Sequence, residues 1–169
     1  MNSPESQTPF EIEKSPIKEA YLLLGASNPW DLSDKYSVED QRWMGVGWDY
    51  KNQDHVVCKV KSIIEPLYPD SLEGEEREVA QNILWFWYHH AISSAIWMYK
   101  DRAVAESMAL KALGLQPEDH PNKITKLLLL VIQGNMDEAR RWSDTITVDY
   151  EKQTAEDIIR EFSEKNMFA

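Results

Sequence analysis

AISSAIWMYKDRAVAESMALKALGLQPEDHPNKITKLLLLVIQGNMDEARRWSDTI, residues 91–146, is the stretch on which the fold turns. Its apolar residues fall into four helix-sized segments, Ala91–Tyr99, Ala103–Leu115, Ile124–Ile132 and Met136–Ile146. Very short connections separate the members of each pair. Two amphipathic segments joined by a few residues can bury their apolar faces only by folding back on each other. Two successive helical hairpins are therefore expected here.

Upstream, Val79–Tyr99 reads as one long helix, and Ile83-Leu84-Trp85-Phe86-Trp87-Tyr88 is apolar all the way round. A helix without a polar face is central and covered by neighbours. Glu75, Glu76 and Glu78 precede it, where a helix N-terminus favours negative charge. Before these, Val56, Val60, Ile63, Ile64 and Leu67 form one helical stripe, with Asp54 as cap and Pro66 as stop. Residues 43–50 alternate and admit two readings, a helix or a strand with Lys51–Asp54 as a hairpin turn. The helix is preferred, because the stripe that follows is helical. Ser37 and Asp40 resemble a capping box, Asn28-Pro29-Trp30-Asp31 a turn, and Ser15-Pro16 the start of a short helix that Gly25 ends, near residues 16–24. Residues 1–14 read as a flexible arm, leaving 15–169 as a single mostly helical domain. At the other end, Thr154 and Asp157 look like a capping box for a helix over about 154–165, with Ile158, Ile159 and Phe162 as its buried face. Such a helix would cap the edge of a helical stack.

Ala112-Leu113-Gly114-Leu115-Gln116-Pro117 and Gln133-Gly134-Asn135-Met136-Asp137-Glu138-Ala139-Arg140-Arg141-Trp142 resemble parts of the tetratricopeptide repeat, a helix-turn-helix unit of 34 residues. With Pro117 at the closing proline, Ala105 and Ala112 take the small packing positions of the second helix. A step of 34 residues then puts Gly134 at the inter-helix glycine and Ala139 at a small position. The resemblance covers about residues 86–151. Ser93, Leu127 and Ile146 depart from the family's small residues, and Lys59 and Ile83 show that no third repeat lies upstream. The resemblance implies an all-α fold of stacked hairpins in a right-handed array, with extra N-terminal helices and a C-terminal capping helix. It also implies a scaffold that receives a protein or peptide on its concave side. His89, Ser93, Lys123 and Lys126, on the first helices of the hairpins, are then the partner-binding candidates. No peptide-carboxylate clamp is recognisable.

Composition narrows the function classes. With 43% hydrophobic and 11% aromatic residues the chain can fill a core, so disorder is excluded. No run approaches the ~18 apolar residues of a membrane span. A net charge of −11 opposes nucleic-acid binding, whose affinity comes largely from Lys and Arg on phosphates. The single cysteine, Cys58, allows no internal disulfide and sits within an apolar stripe, so it reads as an inert core residue in a reducing compartment. Met1-Asn2-Ser3-Pro4-Glu5 shows no secretion signal, and a cytoplasmic location is expected. Among His55, His89, His90 and His120, the adjacent pair projects about 100° apart on a helix and lacks carboxylates at ligand spacing, so no metal and no cofactor is expected. Gly45-Val46-Gly47 lacks the remainder of a phosphate loop. No base, nucleophile and orienting group assemble from local patterns, so the chain is not read as an enzyme. Of seven tryptophans, Trp30, Trp43 and Trp48 lie outside the core periodicity and are added to the candidate binding surface. The sequence thus points to a non-enzymatic interaction or adaptor module for a protein or peptide, with a homodimer as a further expectation. The alternative is a small acidic inhibitor or immunity-type protein that blocks a basic target through Glu73, Glu75, Glu76 and Glu78.

Overall fold

Among the described residues, backbone in the left-handed region occurs at Gly74 (φ 55°), Lys100 (φ 53°) and Gly134 (φ 82°), and the last two, 34 positions apart, each lie in a short turn between two helices that pack on one another. The computed structural model describes residues 15–17, 19, 20, 49–117 and 119–169. Among the described residues the secondary structure is all-helical. Helix α1 spans Val56–Ile64, α2 Gly74–Trp97, α3 Arg102–Leu115, α4 Ile124–Ile132, α5 Met136–Ser143 and α6 Asp149–Glu164. Residues 16, 17, 19 and 20 are also helical. The arm at 1–14, the turn at 28–31, the helix from Ser37, Trp30, Trp43, Trp48 and the two readings of residues 43–48 lie outside the described residues.

Each helix packs on the next in sequence, and α4 packs on α6 as well. The α2–α3 contact is the most extensive. Ala91 and Ala95 of α2 and Ala105, Ala109 and Ala112 of α3 are all fully buried in one core cluster, so short side chains let the two backbones come close. Larger residues fill the rest: Ile92, Ile96, Leu127, Ile132 and Ile158 are 0% exposed. Each such side chain contributes about 1.5–3 kcal/mol on burial. A second cluster joins Ile17 and Ala20 to Val60, Ile64, Leu72, Ala80 and Leu84, which ties the first described helical residues to α1 and the start of α2.

The two hairpins close in related ways. After α4, the N–H of Gly134 reaches Val131 O and that of Asn135 reaches Leu130 O, the paired bonds of a Schellman ending. After α2 the turn is one residue longer, with Tyr99 N bonded to Ser94 O and Asp101 N to Ala95 O. The following helices nevertheless restart in step, α3 at Arg102 and α5 at Met136, behind Asp101 and Asn135. The Asp101 carboxylate caps α3 by accepting the Val104 N–H at 3.0 Å.

Several boundaries differ from those expected. His55, not Asp54, caps α1: its Nδ1 accepts the Val57 N–H at 3.3 Å. The last helix begins at Asp149 rather than near Thr154. Asp149 and Glu151 supply the negative first turn. Thr154 lies inside the helix, its hydroxyl donating to Tyr150 O at 3.0 Å, and Asp157 is buried beside Gln153 and Arg160. Ser15 donates its hydroxyl to the Glu76 carboxylate at 2.6 Å, linking two helix starts 61 residues apart. No helix of the described residues is long and apolar enough to cross a membrane.

Candidate functional site

A cleft of about 690 Å³ opens between the 49–54 turn, α1, α2 and α3. The turn is pinned at its first two residues. Asp49 accepts from Lys51 N at 2.9 Å and from the Tyr99 hydroxyl at 2.6 Å, and the Tyr50 ring meets the Tyr99 ring edge-on at 5.2 Å. This places Lys51 with its ammonium 3.7 Å from the Tyr99 ring centre. From α1, Lys61 and Glu65 reach the cleft one helical turn apart and pair at 3.1 Å. From α2 come Trp87 and Tyr88, and Lys61 Nζ stands 4.4 Å from one ring centre and 5.4 Å from the other. Helix α3 supplies Val104, Met108 and Lys111, and the Lys111 ammonium lies 5.3 Å from the Tyr88 ring. The lining is thus an aromatic and apolar floor with three lysines, and Glu65 is its one acid among the described residues.

The ionisable groups hold defined states. Burial pushes the Glu65 carboxyl up, but the Tyr88 hydroxyl and Lys61, with the charge of Lys111, more than offset this and leave it below its ordinary value. Tyr88 donates to Glu65, and burial together with that carboxylate holds the phenol well above its ordinary value. Tyr50 is also raised, first by burial and then by Asp101 and Asp49, and its buried hydroxyl has no hydrogen-bond partner among the described residues. Cys58 is 3% exposed, and burial raises its thiol despite the indole of Trp87 and the charge of Lys61. No histidine lines this cleft. Its chemistry is that of a cationic aromatic recess, suited to binding.

A smaller cleft of about 310 Å³ lies where the α3–α4 connection meets α5. Here are Lys123 and Lys126. Lys126 Nζ is 4.1 Å from the Trp142 ring centre, Lys123 Nζ donates to Thr145 O at 3.1 Å, and Trp142 Nε1 donates to Lys123 O at 2.9 Å. His120 closes one side: its Nδ1 accepts the Asn122 N–H, and its ring lies 4.4 Å from Trp85. Trp85 in turn stacks on His89 at 5.1 Å and 13°.

His89 and Ser93, expected to face a partner beside the two lysines, are 8% and 3% exposed. His89 is bonded through Nδ1 to Thr125 Oγ1 at 2.8 Å, so it joins α2 to α4 inside the molecule. Burial, with the nearby His90 and His120, lowers its pKa well below the ordinary value. Lys123 and Lys126 therefore remain at a surface while His89 and Ser93 form part of the packing. No group of three or more histidine, cysteine or acidic residues at ligand spacing occurs among the described residues. Of the acidic set, Glu75 and Glu76 occupy the first turn of α2, behind Glu73 as its N-cap. The residues of the larger cleft were missed in the sequence, and the signal present there was the Trp87-Tyr88 pair within the aromatic run.

No family model, curated protein or solved structure matches the chain.

Proposed function

We propose that this chain is a non-enzymatic interaction module in which repeat-like helical hairpins hold the α1–α2–α3 cleft open to a segment of another protein. The observation that carries the reading is the lining: Lys51, Lys61 and Lys111 around Trp87 and Tyr88, in a chain whose net charge is −11. Aromatic faces that bury a large area at low conformational cost, ringed by polar ends, are the usual composition of binding hot spots. The same groups make a poor reaction centre, since Cys58 is buried with its thiol raised and Glu65 is committed to Tyr88 and Lys61. The 34-residue recurrence of hairpin turn, helix start and buried alanine supports the repeat-like arrangement, with Ala105 and Ala139 both at 0% exposure.

The test is site-specific photocrosslinking in cells that produce the protein. A benzophenone amino acid at Ser107, which lines the cleft, is compared with the same group at Leu110, which is 53% exposed on the same helix and outside the lining. A protein adduct formed from Ser107 and absent from Leu110 is expected. No protein adduct from Ser107, or the same adducts from both positions, overturns the reading.

A further inference from the structure

We infer that the occupant of the α1–α2–α3 cleft is an acidic peptide segment in which a carboxylate adjoins an aromatic or aliphatic side chain, and that Glu65 stands in for that carboxylate in the free protein. This deepens the interaction-module reading and rests on it.

Charge decides between occupants. The cleft concentrates three of the chain's 18 basic residues against one acid, although acids outnumber bases 29 to 18 over the whole sequence. Lys61 has its counter-charge in Glu65 at 3.1 Å. Lys51 and Lys111 form no ion pair among the described residues, and their ammonium groups rest on the faces of Tyr99 and Tyr88. A neutral guest in the cleft would strip water from both ammonium groups, which line it, and offer no charge in return, which is costly. A carboxylate on the guest converts the same burial into charge-assisted hydrogen bonds. The floor of Trp87, Val104 and Met108 calls for an apolar side chain beside that carboxylate.

Glu65 shows the geometry the guest must reproduce. It receives the Tyr88 hydroxyl and the Lys61 ammonium at once, at the edge of the aromatic floor. A guest carboxylate that takes over Lys61 has to displace Glu65, which therefore competes with the guest from within. A polyanion such as single-stranded nucleic acid could also offer negative charge and flat rings. Its phosphate at every nucleotide would extend negative charge beyond the three lysines over a molecule that is acidic elsewhere, whereas a short peptide places its carboxylates only where the lysines stand, and the peptide is favoured on that ground.

The experiment selects from a library of short peptides with a fixed phenylalanine and randomised flanks, using the full chain as bait at low and at high salt. An oligothymidine serves as the competing probe. Asp and Glu should be enriched beside the phenylalanine. Affinity for the selected peptides should fall about tenfold in Lys51→Glu/Lys111→Glu, as two charge-assisted contacts turn repulsive. Both positions are exposed, so the fold tolerates the change. In Glu65→Gln the amide still accepts from Tyr88 but releases Lys61, and affinity should rise about threefold, the scale of a partly exposed ion pair. A merely structural Glu65 would give no such gain.

Selection of apolar peptides without acids, while the Ser107 adduct persists, overturns the acidic occupant and leaves the module standing. Preference for the oligothymidine overturns it in favour of nucleic acid. Failure to enrich any peptide, with no adduct at Ser107, removes both readings.

Discussion

Replacing Ala105 by Asp puts a carboxyl group at a point where α3 is completely covered, in a position that a solvent-exposed alanine on the same helix would not occupy. Two costs combine. The added atoms overpack the alanine seam against α2, worth about 1–3 kcal/mol, and the carboxyl loses its water without a partner, worth about 1–3 kcal/mol on the mutational scale. Their sum is about 4 kcal/mol, a large share of the roughly 5–15 kcal/mol that holds a domain together. For a domain of this size each kcal/mol moves the midpoint by roughly 2–4 °C, so Ala105→Asp should melt about 8–16 °C below the parent. Leu110→Asp provides the control. Leu110 is 53% exposed on the same helix, so its replacement should stay within about 0.5 kcal/mol. Thermal unfolding followed by circular dichroism at 222 nm, the standard helix band, reads both. Equal melting of the two variants would refute the close α2–α3 packing, and with it the placement of Ala105 in the seam.

On the proposed 34-residue register Ala139→Asp, fully buried on α5, is the counterpart of Ala105→Asp; a urea midpoint unchanged by it would refute that register. His89 gives a pH dependence. Its folded pKa is lowered, so below about pH 6.5 the unfolded chain takes up a proton that the folded chain refuses, and stability falls as pH drops through that range while remaining full above it. Urea titrations across the range should show this slope, and His89→Gln should flatten it; an equal slope in both proteins would assign it to other groups. The Cys58 thiol, 3% exposed and raised by burial, should react with a disulfide reagent at least about a hundredfold faster in urea than in the native state, and comparable rates would show an open site. Tyr50→Phe deletes a buried hydroxyl that has no partner among the described residues, so it should leave stability unchanged or raise it by up to about 1 kcal/mol; a loss of that size would reveal a bond to the hydroxyl.

The helices of residues 91–146 were legible from the short connections between them, although α5 ends at Ser143 rather than at the expected Ile146 and α2 at Trp97 rather than at Tyr99. Ile124–Ile132 emerges with both expected bounds, since Lys123 and Gln133 bracket an almost unbroken apolar run. The last helix was misjudged at its start for a physical reason. Thr154 and Asp157 have the spacing of a capping box, but a threonine inside a helix can satisfy its hydroxyl on the preceding turn, as it does on Tyr150. Asp149 and Glu151, which carry the real first turn, resemble any solvated acids. The burial of His89 and Ser93 was equally hidden: their place on α2 follows from periodicity, but Thr125, the partner of His89, comes from a helix 36 residues away. The larger cleft has no linear signature. Lys51, Lys61 and Lys111 look like ordinary surface lysines until the turn, α1 and α3 converge on Trp87 and Tyr88.

The matched reversals at Lys100 and Gly134 bear on how the molecule can be lengthened. Each marks the joint of a hairpin, and the stretch from Arg102 through Asn135 starts at one helix entry and stops just before the next. On the repeat-like arrangement proposed above, a duplicate of that stretch, spliced in tandem, would leave the existing helices in phase and offer the newcomer seats of the kind its original already occupies. An insert half a helix shorter or longer would meet its neighbours with the wrong side. On that proposal the chain has a unit of length set by its joints rather than by its individual helices.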